Sequence, residues 1–165
     1  MKQIKILLNT LVIAVSLFAF QQESIAARFS RTLIDSYTPQ RISDAINAYR
    51  VVHGLSPLKL NSLISEEAEN HSRDMANKIV PFGHAGFYAR TRTLAKLFPH
   101  SHSAAENAAY ADIDTEEVVK QWIKSPGHRK NIEGNYNLTG IGIARDKNGR
   151  VYVTQLFLRD DEVKG

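Results

Sequence analysis

Apolar and polar positions along this chain follow two periods, and the change between them divides it. Ile42, Ala45, Ile46 and Tyr49 recur at helical spacing behind Thr38 and Pro39, which offer an N-cap and a first-turn proline. Gly54 stops this helix, and Leu55 to Leu58 reads as a linker. A second helix shows one apolar face through Ile64, Ala68, His71, Met75 and Ile79. Pro81, Gly83 and Gly86 then break the pattern, which leaves His84 on a loop. A short helix is expected from Arg90 to Leu97, closed by Pro99, and an extended piece from Ala104 to Tyr110. Asp114 or Thr115 with Glu117 resembles a helix start, and Val118, Val119, Trp122 and Ile123 form its apolar side. Pro126 and Gly127 end that helix, or Pro126 opens another turn carrying His128, Arg129 and Asn131.

Beyond this point the period shortens. Leu138 to Ala144 and Val151 to Leu158 are β-rich runs, joined across Asn148-Gly149, a strong hairpin signal. Both runs are apolar on both sides, as a sheet covered by helices on each face requires. The fold class predicted is α/β, a three-layer α-β-α sandwich.

The N-terminal end adds a location. Lys2 and Lys5 precede an apolar run from Ile6 to Phe20, and small residues at Ser24 and Ala26 suit cleavage before Ala27. Asn9, Thr10 and Ser16 interrupt the run, which is short against the roughly 20 apolar residues of a spanning helix. The layout expected is a signal peptide at 1–26, a lead-in at 27–39, one domain at 40–160 and a tail at 161–165. The destination is the periplasm or the medium, with no stable membrane span after signal removal. The net charge is +4, and loss of two lysines and one glutamate with the signal leaves +3. Basic residues are scattered among acidic ones, so nucleic acid is not an expected partner. There is no cysteine, so stability must come from the core; a disulfide-free exported chain fits bacterial export.

An ordered set of motifs then suggests a family. Gly83-His84 with Arg90, Ala105-Glu106-Asn107-Ala108, Trp122 through Ser125-Pro126-Gly127-His128-Arg129-Lys130-Asn131-Ile132, Thr139 to Ala144, and Tyr152 to Phe157 occur in sequence. Together they resemble the bacterial branch of the CAP (SCP-like) superfamily over nearly all of Gln40 to Leu158. The resemblance implies a small, mainly antiparallel central sheet, and a cleft where His84 meets Glu106, joined by His128. The chain departs from the animal and plant pattern at Ser125, where those members carry a second glutamate, and at Tyr152, where they carry a histidine.

Two imidazoles and a carboxylate suit Zn²⁺ or a similar divalent cation, with His84 and His128 as the first candidate ligands. Without metal, Glu106 could orient a histidine for acid–base work, which would still need a nucleophile. Ser125 is near His128 in sequence, although serine before a helix-opening proline is commonly a cap. Glu106 and Asn107 could equally brace loops by hydrogen-bonding backbone amides. His71 reads as a packed core histidine, and His100 with His102 as a solvated pair that permits a weak metal site. Trp122 reads as core packing. Asn70 and Asn137 head glycosylation patterns. Gly140 and Gly142 mark either a close backbone approach or a bulge. The leading expectation is an exported binding protein for a small ligand, lipid, cation or protein partner. A metal-assisted hydrolase of a peptide, ester or envelope bond comes second, and a purely structural envelope component third.

Overall fold

The computed structural model describes residues 38–111 and 115–163. The proposed signal peptide and the lead-in up to residue 37 lie outside them. Thr38 caps α1 (Pro39–Val52), its side chain accepting from Arg41 N, and Pro39 opens the first turn. Asn61 caps α2 (Ser62–Ala76), accepting from Leu63 N and Ile64 N. Then follow α3 (Phe87–Leu97), β2 (Ser101–Ala111), α4 (Thr115–Lys124), α5 (Pro126–Ile132), β3 (Leu138–Arg145) and β4 (Val151–Asp160), with a two-residue β1 (Lys59–Leu60) before α2.

Several features differ from the sequence reading, among them the start of the third helix at Phe87 rather than Arg90, and at Pro126 one of the two readings left open is decided. The second helix stops at Ala76, because Lys78 takes a left-handed turn at φ 59, so Ile79 falls beyond the helix and is exposed. Strand β2 begins at Ser101 and is eleven residues long. Lys59 and Leu60 pair with Leu138 and Thr139, a strand that no alternation announces. Pro126 does open a separate helix. The Asn148-Gly149 hairpin forms as expected, with Gly149 at φ 85 and Asp146 Oδ1 accepting from Asn148 N and Arg150 N.

The sheet order is β1-β3-β4-β2, parallel only between β1 and β3 and antiparallel elsewhere. Alternation along β4 sends Val151, Val153 and Phe157 to one face, among Ile42, Ile46, Val118, Trp122 and Ile132 from α1, α4 and α5. Leu156 and Leu158 face the other way, against Ile64 and Ala68 of α2 and Leu94 of α3. Tyr152, Met75 and Ala76 extend that second face. Helices therefore cover both faces, and the three-layer α-β-α sandwich is realised. With no cysteine available, burial of these side chains, each contributing about 1.5–3 kcal/mol, is the main stabilising term.

The two strand glycines mark close approach. A Cβ on Gly140 would strike the backbone of Ile64 and Ser65, and one on Gly142 the backbone of Ala68 and Glu69. Helix α2 therefore rests directly on β3, and two hydroxyls join them: Ser65 Oγ accepts from Ile141 N at 3.1 Å, and Ser72 Oγ donates to Gly142 O at 3.0 Å. Asn137 is buried, with its amide donating to Asp160 O and Val163 O, so the second glycosylation pattern has no accessible acceptor.

Replacing Gly142 with alanine should force α2 off the sheet, at a cost of about 1–3 kcal/mol or more. Urea denaturation measures it; an unchanged midpoint would contradict this packing.

Candidate functional site

Among the described residues strand β2 pairs only with β4, so its other side is a sheet edge there. Such an edge presents unpaired backbone groups. Here side chains from the α4–α5 layer occupy them: Asn131 Nδ2 donates to Glu106 O at 3.1 Å, and Trp122 Nε1 to Ala108 O at 3.4 Å. Alternation on β2 sends neighbouring residues to opposite faces. Glu106 thus meets α2 and α3, while Asn107 meets α5, bonding His128 O at 3.2 Å and accepting from Asn131 Nδ2 at 2.8 Å.

The Glu106 side chain is 2 % exposed, and a carboxylate at that depth requires a cation. Arg90 of α3 supplies one through a two-pronged contact, Nε to Oε2 and Nη2 to Oε1, each 2.8 Å. His84 adds a bond from Nδ1 to Oε1 at 2.8 Å. A carboxylate only accepts, so Nδ1 carries the proton, and Nε2 is the nitrogen left for other chemistry. The His84 ring is 54 % exposed, so that nitrogen is reachable from solvent.

The loop that carries His84 is held at three points. Gly83 and Gly86 adopt φ 128 and φ 77, which only glycine takes readily, so the chain reverses on either side of the histidine. Arg90 Nη1 donates to Ala85 O at 2.8 Å. His71, buried on α2, donates through Nε2 to Gly83 O at 2.8 Å and stands 3.9 Å from Glu106 Oε1. The expected core histidine is therefore also a loop anchor. Burial pushes its pKa below the ordinary histidine value, with Arg90 adding in the same direction against the Gly83 bond.

His128 approaches from the other layer. Its Nδ1 is buried and has no hydrogen-bond partner among the described residues. Burial depresses its pKa, and a protonated His84 adds in the same direction. His128 lines a cleft of about 270 Å³ with Phe82, Ala108, Ala109, Tyr110, Trp122 and Ser125. Ser125 stands at the N-cap of α5 but makes no capping bond, and no hydrogen bond joins it to His128. Trp122, expected as core alone, is core on one side and cleft wall on the other.

Of the three residues expected to meet, His84 and Glu106 are in direct contact, whereas His128 is on the opposite layer and bonds neither of them. Glu106 bonds side chains, and Asn107 braces the carbonyl of His128 rather than a backbone amide. The residue whose part sequence reasoning missed is Arg90: it stood in the motif without a role, and the signal was a glutamate on a buried strand with no other assigned cation. As a three-ligand metal set the trio does not fit, because Glu106 is committed to Arg90. No group of three His, Cys, Asp or Glu side chains able to hold a metal occurs among the described residues. His100 and His102 face separate carboxylates, Glu162 at 3.1 Å and Asp161 at 3.4 Å.

A three-layer sandwich with a loop histidine bonded to a buried edge-strand glutamate is an SCP-like domain. The Cysteine-rich secretory protein family (CAP) matches residues 43–157, and the chain belongs to it. Its cysteine-free sequence shows that the fold stands without the cysteines of the family's name. Curated relatives include YkwD of Bacillus subtilis, 36 % identical over 72 % of this chain and 46 % of that protein, and the membrane protein YlbC of the same organism, 31 % identical over 76 % and 36 %. The chain thus spans less than half the length of these relatives. Among solved structures, an extracellular protein with an SCP domain from Bacillus anthracis matches with TM-score 0.63 and 27 % identity, over 74 % of this chain and 40 % of that one. An outer surface protein of Borrelia burgdorferi shares the fold, with TM-score 0.63 and 16 % identity over 73 % and 91 %.

Removing Arg90 by alanine should cost about 3–5 kcal/mol, since it strands a buried carboxylate. The Arg90→Ala, Glu106→Gln double variant should recover part of that loss in urea denaturation; strict additivity would contradict the pairing. Because His71 and His128 have folded pKa values below their unfolded ones, their contribution is complete above about pH 6.5. It is lost as pH falls from there through the depressed values. Urea midpoints should drop between pH 7.5 and 5.5, and less so in a His71→Asn, His128→Asn variant.

Proposed function

We propose that the chain is an exported binding domain whose edge-strand cleft takes a small ligand with an apolar body and a hydrogen-bonding end. The observation that carries this reading is the make-up of the cleft: Phe82, Tyr110 and Trp122 supply aromatic walls beside the unpartnered Nδ1 of His128. Phe82 and Tyr110 meet edge to face, with ring centroids 4.7 Å apart, so the wall is preformed rather than assembled on binding. An apolar cavity of about 150 Å³ accommodates benzene, so about 270 Å³ admits one ring with substituents or a short chain. Most ligand pockets combine such walls with a few placed polar groups.

Export is supported by the signal-like first 26 residues and by the extracellular protein among the structural neighbours. No helix among the described residues is long and apolar enough to cross a membrane. Mass spectrometry of the protein recovered outside the cytoplasm should give a chain beginning at Ala27. Recovery only of the uncleaved chain would contradict it.

A second reading is a cation held by the imidazoles of His84 and His128 alone, favoured by the same unpartnered Nδ1. Such a cation would supply Lewis acidity, and in the hydrolase reading an activated water. The two readings separate in one set of measurements. Ligand-observed NMR with a panel of small aromatic and aliphatic amphiphiles should yield binders that are lost in both His128→Ala and Ala109→Leu, the latter filling the cleft. Zinc titration should show binding lost in His84→Ala and His128→Ala but retained in Ala109→Leu if the cation reading holds. Binding indifferent to all three substitutions would overturn the cleft as the site.

A further inference from the structure

A second polar cleft lies away from the histidines, at the far end of α1. It has a volume of about 490 Å³, and its lining includes Arg50, Ser56, Glu133, Asn135 and Arg159. Arg50 is the unusual member. It is 2 % exposed, yet it forms no ion pair among the described residues. Its partners are all backbone carbonyls: Nε bonds Ser56 O at 2.8 Å, Nη1 bonds Ile132 O at 2.5 Å and Gly134 O at 3.0 Å, and Nη2 reaches Tyr136 O at 3.5 Å. A buried charge is ordinarily paired with an opposite charge. Carbonyl dipoles satisfy donors but leave the unit charge uncompensated, and burial accordingly presses the Arg50 pKa downward.

The donors are also incompletely used. A guanidinium has five N–H groups; four bonds are made, and the one to Tyr136 is at the limit of length. One N–H of Nη2 therefore has no acceptor among the described residues. Across the same cleft, Arg159 makes only long contacts, to Asn135 Oδ1 at 3.5 Å and Asp161 Oδ1 at 3.4 Å. The one carboxylate lining the cleft, Glu133, is engaged by the Tyr49 hydroxyl at 2.6 Å. Of the two guanidiniums that line the cleft, Arg159 has a long ion pair with Asp161 and Arg50 has no carboxylate partner among the described residues.

We propose that this cleft is a binding site for a small oxyanion, a carboxylate or a phosphate group, held between the buried Arg50 and the rim residue Arg159. The anion supplies the counter-charge that the carbonyls cannot, and accepts the remaining Nη2 proton. Arg50 sets the depth of the site, and Arg159 closes it from the solvent side. The remaining Nη2 proton of Arg50 offers one charge-assisted bond, and the fork that can meet the two-oxygen edge of either group is that of Arg159, which is held only by long contacts.

Isothermal titration calorimetry on the full chain at fixed ionic strength tests this, with inorganic phosphate in one arm and succinate in the other. Saturable binding in at least one arm is expected, and the arm that binds names the group recognised. Arg159→Ala, a rim substitution that leaves the core intact, should weaken it by about tenfold, the loss of one charge-assisted bond. Arg50→Lys, which keeps a cation but gives up the guanidinium, should weaken it at least as much, with circular dichroism confirming the fold. No saturable heat in either arm, or affinities unchanged in both variants, overturns the proposal.

Discussion

A carboxylate buried on an edge strand must have a cation beside it, and the pairing of Glu106 with Arg90 meets that demand. Much of the site follows from this one interaction. It fixes α3 against β2, and it orients His84 through Oε1. It also places a charge near His71, which in turn holds the loop at Gly83. The charge is costly to bury and cheap to keep once paired, so the arrangement is held by the penalty of losing either partner rather than by a large net gain.

The sheet edge is the second constraint. An open edge is a liability, and here the carbonyls of Glu106 and Ala108 are occupied by Asn131 and Trp122 from the opposite helical layer. Those contacts hold α4 and α5, and with them His128, against the edge of the strand. The cleft is thus a product of edge protection: two layers, each anchored to the same strand, leave a groove between them. Its walls are side chains already required for packing, which explains how Trp122 is core and cleft wall at once.

The sheet and helices were legible where one period ran long enough to be unambiguous. The β3–β4 hairpin, α1 and α2 could be read directly, whereas Gly140 and Gly142 fitted close approach and a bulge equally until the backbone of α2 was seen to rest on them. Strand β1 could not be read, since two residues carry no alternation, and Ile79 misled because apolar spacing continued past the turn at Lys78. At the site, His84 and Glu106 were found through motif order rather than through any local pattern. The role of Arg90 was hidden for a physical reason: an ion pair between a helix and a strand sixteen residues apart has no fixed spacing. The unpaired Arg50 was hidden likewise, since its isolation depends on which groups the fold brings near it.

The central claim is that an anionic Glu106, clamped by Arg90, fixes the His84 ring with its proton on Nδ1 and leaves Nε2 free on a half-exposed ring. Long-range proton–nitrogen NMR of the histidine rings at about pH 7.5, above the ordinary histidine pKa, tests it most directly. The account predicts an Nδ1–H tautomer for His84 that shifts toward the mixed tautomer population of a free imidazole in Glu106→Gln. A His84 that carries its proton on Nε2, or a tautomer unchanged by that substitution, would contradict it.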